Sequence, residues 1–214
     1  MDPSLVVIRS LVWTNLATLV ISVGMFAAVT LLPRFVQAPV SSGYGFGYSA
    51  SRTGPLLVPM AVMMVAAAPV ATALSRRFSA AVALRYGALL AAAALALFAF
   101  AHEDVWTLYL GAAVLGLAYG LAFASLGGLV VGAVEQRQTG AATGINTILR
   151  TIGGALGAQV AAVILENSAS SGSPLPTEGG FTTAFLASAV VALVALVVAI
   201  GIRGHRRESG TIRA

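Results

Sequence analysis

Six apolar stretches alternate with short polar segments along this chain, at residues 11–32, 55–74, 82–101, 105–131, 141–165 and 181–202. A helix that crosses a bilayer needs roughly 20 mostly apolar residues. None of the six shows the alternation of a barrel strand, which repeats every second residue. "YGALLAAAALALFAFA" (86–101) is apolar on every side, as a lipid-facing or core helix must be. The pattern predicts an all-α, polytopic membrane protein with six transmembrane helices.

The polar segments punctuate that reading. "SSGYGFGYSASRTG" (41–54) is an irregular loop by its glycine, serine and tyrosine content, and "HED" (102–104) is an acidic tight turn. "SRRFSAA" (75–81) and "EQRQTG" (135–140) are short connections, and "ENSASSGSPLPTEGG" (166–180) is a flexible loop. No region looks like a separate soluble domain. The chain reads as one bundle, 1–214, ending in a basic tail at 203–214. Pro59 and Pro69 in the second stretch, and Pro33 at the end of the first, are candidates to kink or end their helices.

Charge then orients the spans. All 12 basic residues are arginines. Arg9, Arg76, Arg77, Arg85, Arg137, Arg203, Arg206, Arg207 and Arg213 fall on one side, and only Arg34 and Arg52 on the other. Glu103, Asp104, Glu166 and Glu178 lie on the arginine-poor side. The positive-inside rule therefore puts both termini in the cytoplasm of a cell (plasma) membrane protein. Trp13, Phe78 and Tyr86 on the inner side, with Trp106, Tyr109 and Phe181 on the outer, suit interfacial anchoring. The first stretch is too long, and lacks the cleavage site, for a signal peptide.

Composition agrees: 58% hydrophobic and 9% charged, against about a quarter charged in a soluble domain. The bilayer is the expected partner. The net charge of +5 is read as topology, with no nucleic acid as partner.

Little supports catalysis. The two histidines, His102 and His205, and all seven acids lie in loops or ends, and there is no cysteine. No nucleophile has a base at hand, no cluster has metal-ligand spacing, and no phosphate-cradling loop occurs. The expectation is no enzyme, no cofactor, no metal and no catalytic residue. A proton-driven pump usually keeps a carboxylate in the membrane, and these stretches hold none.

The fifth stretch is the exception to apolar uniformity, because Arg150 sits near its middle. On a 100° wheel Thr143, Asn146, Thr147, Gly153, Gly154 and Gly157 fall within about 60° of it, while Ile145, Ile148 and Ile152 lie opposite. Gln159 also falls opposite and fits no pattern. An arginine facing lipid at the bilayer centre costs at least ~2.5–3.5 kcal/mol, so this stripe should face protein or a cavity. Arg150 is either a cavity-lining charge, with Asn146, Thr147 and Thr143 beside it, or a structural cation bonded to a neighbouring helix end. Glycine pairs four apart, at Gly116/Gly120, Gly128/Gly132, Gly140/Gly144 and Gly153/Gly157, predict close helix packing.

"TGAATGINTILRTIGGALGAQVAAVIL" resembles the late-helix signature of major facilitator superfamily drug/proton antiporters of the fourteen-helix kind. The signature follows the loop "VEQRQTG" and is matched at Ala142, Gly144, Asn146, Arg150, Gly153, Gly154, Ala155 and Gly157. "LLPRFVQAPVSSGYGFGYSASRTGPLLVPMAV", "PVATALSRRFSAAVALRYGALL" and "GLAYGLAFASLGGLV" are similar to the segments that precede it in that family. The resemblance runs from about Val12 to Ile202 and covers the C-terminal bundle alone. It implies half of a major facilitator fold, an inverted three-plus-three repeat. It further implies export of small amphipathic compounds by proton antiport, and a second six-helix half or another copy as partner. A truncated, non-transporting module that only packs with other helices is the alternative. An ATP-driven exporter is disfavoured, since its long inner helix extensions are absent here.

Overall fold

The computed structural model of this chain describes residues 3–169 and 175–202, with side chains from Arg9 onward. The tail at 203–214, with Arg203, His205, Arg206, Arg207 and Arg213, lies outside the described residues. Six long helices make up the fold: α1 (Pro3–Gln37), α2 (Ala50–Arg77), α3 (Ala80–Phe100), α4 (Val105–Ala133), α5 (Thr139–Ser168) and α6 (Glu178–Gly201). Among the described residues there is no strand, and all six helices are long and apolar enough to cross a membrane.

Local chemistry sets the ends. Ser79, Asp104 and Thr177 cap α3, α4 and α6 by accepting from the backbone N–H groups of Val82, Trp106 and Gly180. Each satisfies a donor that the first turn of a helix leaves unpaired. The prolines do not end their helices. α1 continues through Pro33 to Gln37, and α2 contains Pro55, Pro59 and Pro69. α2 also begins five residues before the predicted start, taking up Ala50–Gly54 from the supposed loop.

Apart from α3 and α4, sequence neighbours are not the main packing neighbours. α1 packs chiefly on α5 and α6, α4 chiefly on α2 and α3, and α3 lies against α6. Exchanging α1–α3 for α4–α6 maps the α1 pairs onto the α4 pairs and α3–α6 onto itself, as an inverted repeat requires. Three of the pairs approach backbone to backbone, α3 and α4 where Gly87 meets the Ala118 carbonyl. A Cβ added at Gly116 or Gly120 of α4 would collide with the Met60 or Met64 carbonyl of α2. One added at Gly153 or Gly157 of α5 would collide with the Leu19 or Val23 carbonyl of α1, and at Gly154 with the Phe26 ring. Small residues let helices approach this closely where lipid gives apolar side chains no reason to associate. Gly128/Gly132 and Gly140/Gly144, by contrast, face open space.

The first part of α1 and the end of α6 meet on one side of the bundle. The Trp13 ring lies against Gly201. On the same side Arg85 of α3 donates to the Ala199, Ile200 and Ile202 carbonyls that end α6, at 3.1 to 3.3 Å. The sequence showed Arg85 only as a topology charge. It is also the cation that a helix C-terminus attracts.

Candidate functional site

α2 and α5 are the least enclosed helices, with 22% and 28% of their apolar windows buried against 44% or more in the others. The polar stripe of α5 therefore lies at the edge of a half-open face. Arg150 falls roughly 17 Å along a helix of about 45 Å, well inside the span.

Within that stripe the structure separates residues that the wheel grouped. Gly153, Gly154 and Gly157 are buried against α1. Asn146 turns the same way, and its side-chain amide donates to Asn15 Oδ1 at 3.0 Å and Thr18 Oγ1 at 2.6 Å. Thr18 is a good acceptor because its own hydroxyl proton is committed to the Thr14 carbonyl at 3.0 Å. Thr14, Thr18 and Ser22 form a buried ladder on α1, each hydroxyl donating one turn back. Asn15 and this ladder were not predicted. An i, i+4 scan for hydroxyls in the first stretch would have found the ladder.

Arg150 turns the other way, towards α4. Its guanidinium lies over the Phe123 ring, 5.5 Å from the centroid, and its side chain is otherwise exposed. A planar cation on a ring face is a favourable contact. Among the described residues no carboxylate forms an ion pair with it. Thr143 is half-buried and Thr147 exposed, and both hydroxyls donate to their own helix, leaving lone pairs free to accept. The arrangement is a shelf with one strong cationic donor, several neutral acceptors and an aromatic wall.

A second polar centre lies at the end of the bundle opposite the termini, in residues read from the sequence as loop. His102, buried after α3, sets Nδ1 2.9 Å from the Phe98 carbonyl and Nε2 2.9 Å from Glu178 at the start of α6. Phe35 of α1 packs edge-on to the His102 ring at 5.0 Å and against Tyr44, Phe46, Phe181 and Phe185. Phe181, expected as an interfacial anchor, is fully buried in this cluster. The loop that supplies Tyr44 and Phe46 folds back on α1. Gly47 and Tyr48 donate to the Ala38 and Val36 carbonyls, with Gly43 and Gly47 at the positive φ this path requires. The Tyr44 hydroxyl reaches the Pro176 carbonyl at 2.6 Å, and burial pushes its pKa up.

Residues 3–158, well over half of the chain, match the Major Facilitator Superfamily. The chain belongs to this superfamily. It is 26% identical over 161 residues to the "Multidrug resistance protein B homolog" of Mycobacterium tuberculosis, and 27% identical over 151 residues to the "Multidrug transporter protein MdtP" of Bacillus subtilis. Those alignments take in 73% and 70% of this chain but only 29% and 27% of the relatives. Crystal structures of a peptide transporter POT variant, with sulfate and with alafosfalin, superpose with TM-scores of 0.63 and 0.64 at 20% identity. The superposition takes in 94% of this chain and 41% of that one. The fold is therefore a six-helix half-bundle of a major facilitator transporter, embedded in a membrane.

Proposed function

We propose that this bundle is the C-terminal half of a multidrug-type exporter. It carries small amphipathic compounds out of the cytoplasm by proton antiport, across the plasma membrane, with both termini cytoplasmic. The coupling carboxylates belong to a first six-helix half, which packs on the half-open face of α2 and α5. Alternating access then rocks the two bundles about a site at mid-depth. The observation that carries this reading is Arg150, a mid-span cation on the open face with no ion-pair partner among the described residues. Ionisable groups within membrane spans usually line a substrate or ion path. The multidrug names of both curated relatives point the same way.

The geometry supports a role for each residue in this reading. Arg150 and Phe123 hold the polar and aromatic parts of a substrate, Thr143 and Thr147 accept from it, and Asn146 locks α5 to α1 beside it. The test is dye efflux from cells that lack other exporters, with the chain expressed alone and together with a first half from a multidrug relative. Efflux should need both halves and stop when a protonophore collapses the proton gradient. Arg150→Ala should abolish it at unchanged membrane levels, and Arg150→Lys should restore part of it. Inserted protein that never supports efflux with any first half would overturn the reading in favour of a module that only packs.

A further inference from the structure

We propose that His102 and Glu178 form a proton-binding site that clasps the end of the bundle opposite the termini. Hydrogen-bond chemistry carries the inference. A neutral imidazole has one N–H and one bare nitrogen, and an ionised carboxylate only accepts. His102 faces an acceptor on both sides, the Phe98 carbonyl at Nδ1 and a Glu178 carboxyl oxygen at Nε2. Both contacts are hydrogen bonds only when the pair holds one proton more than neutral histidine plus carboxylate. That proton sits on Nε2 and points at Glu178. When it leaves for water the neutral ring keeps a single N–H, so one of the two contacts is lost: the bare nitrogen meets the Glu178 carboxylate in one tautomer and the Phe98 carbonyl in the other.

The surroundings favour the proton-bound, charge-separated form. His102 follows the C-terminus of α3, where a helix attracts a cation, and Glu178 stands in the first turn of α6, where a helix attracts an anion. The other titratable groups nearby leave the pair to itself. Tyr44, on the loop, approaches Glu178 closely enough to feel its charge and gives its proton to Pro176. Glu103 and Asp104 on the same turn are exposed, and Asp104 is committed to capping α4. From α1 the ring is met by Phe35. Among the described residues no arginine pairs with either group. Histidine is the side chain that exchanges its proton between about pH 5 and 8. Losing that proton therefore costs the clasp one of its two hydrogen bonds. The clasp ties α3 to α6 where the aromatic cluster also holds α1.

The site is tested on the full chain in nanodiscs by two readouts, neither of which needs transport. The first is nitrogen NMR of histidine-labelled protein, with His102 assigned by the loss of its signals in His102→Gln. At pH 5.5 both ring nitrogens should be protonated, and at pH 8.5 only one. The second is amide exchange over residues 98–102 and 178–185, compared at each pH with Glu178→Gln so that intrinsic exchange cancels. A glutamine amide donates to neutral imidazole, so this variant keeps the contact without the extra proton. Relative to it, protection in the parent protein should fall about tenfold from pH 5.5 to 8.5, the low end for a charge-assisted bond because Glu178 is half exposed. His102→Gln, whose amide donates to Glu178 without titrating, is the second reference should Glu178→Gln fail to fold. A bare Nε2 at pH 5.5, or a protection ratio flat across the range, overturns the proposal.

Discussion

At the loop end of the bundle, Phe35 touches four aromatic side chains and one imidazole, and the polar groups among them are all engaged. Halfway along α5 the Arg150 guanidinium touches one ring and is otherwise open. Both places join residues from several helices, but the loop end is complete within this chain and the α5 shelf is not. The difference separates what this bundle holds shut by itself from what it offers to something else. A substitution at the loop end should appear in stability, and one on the shelf chiefly in what binds there.

The largest effect is expected where packing is densest. Phe35→Ala removes a fully buried ring from the centre of the cluster and should cost about 3 kcal/mol of stability. Unfolding of the nanodisc-embedded chain measures this. Exchange at the Gly47 and Tyr48 amides, which hold the loop to α1, should rise with it.

A smaller loss is expected from a wedge between α5 and α1. Gly157→Leu has no space against the Val23 carbonyl, and because backbone cannot swing aside it should cost about 2 kcal/mol. Gly144→Leu, on the same helix in open space, should change stability by less than about 0.5 kcal/mol. Equal effects from the two would mean that α5 does not sit on α1 through its glycines.

This pair of variants also marks how far the sequence could be read. The six spans were legible because bilayer thickness fixes the length of an apolar run, and helix ends differed where a helix continued past its apolar run into flanking residues. The four glycine pairs look alike in sequence, since a wheel gives the face a residue occupies and not what approaches it. For the same reason the α5 stripe read as one surface, while Asn146 goes to α1 and Arg150 to α4. The loop-end site was illegible. Phe35, Tyr44, His102 and Glu178 come from four separated segments, and each looked like an ordinary boundary residue. No local pattern records that folding brings them together.

Between the two regions lies Asn146, which belongs to the packed side of the stripe. Asn146→Leu removes both interhelical hydrogen bonds and should cost about 1 kcal/mol, since polar contacts between membrane helices are individually modest. Its effect on efflux by a complete transporter should follow the loss of folded protein and nothing more. A collapse of efflux at normal protein levels would move Asn146 from scaffold to shelf.

The smallest effect is expected at Arg150 itself. A guanidinium over one ring at 5.5 Å, half in solvent, contributes about 0.5–1 kcal/mol. The measurement is a double-mutant cycle with Arg150→Met and Phe123→Leu, which removes from the result whatever each change does to the rest of the bundle. A coupling of that size fixes the guanidinium against α4 in the half-bundle, ready to meet whatever fills the space before it. A coupling near zero would leave Phe123 as a wall and Arg150 as a side chain that takes its place only when a substrate or the other half arrives. A coupling well above 1 kcal/mol would mean that the contact serves the bundle's own stability. The open shelf would then be built on the same plan as the closed end, and the contrast between them would be lost.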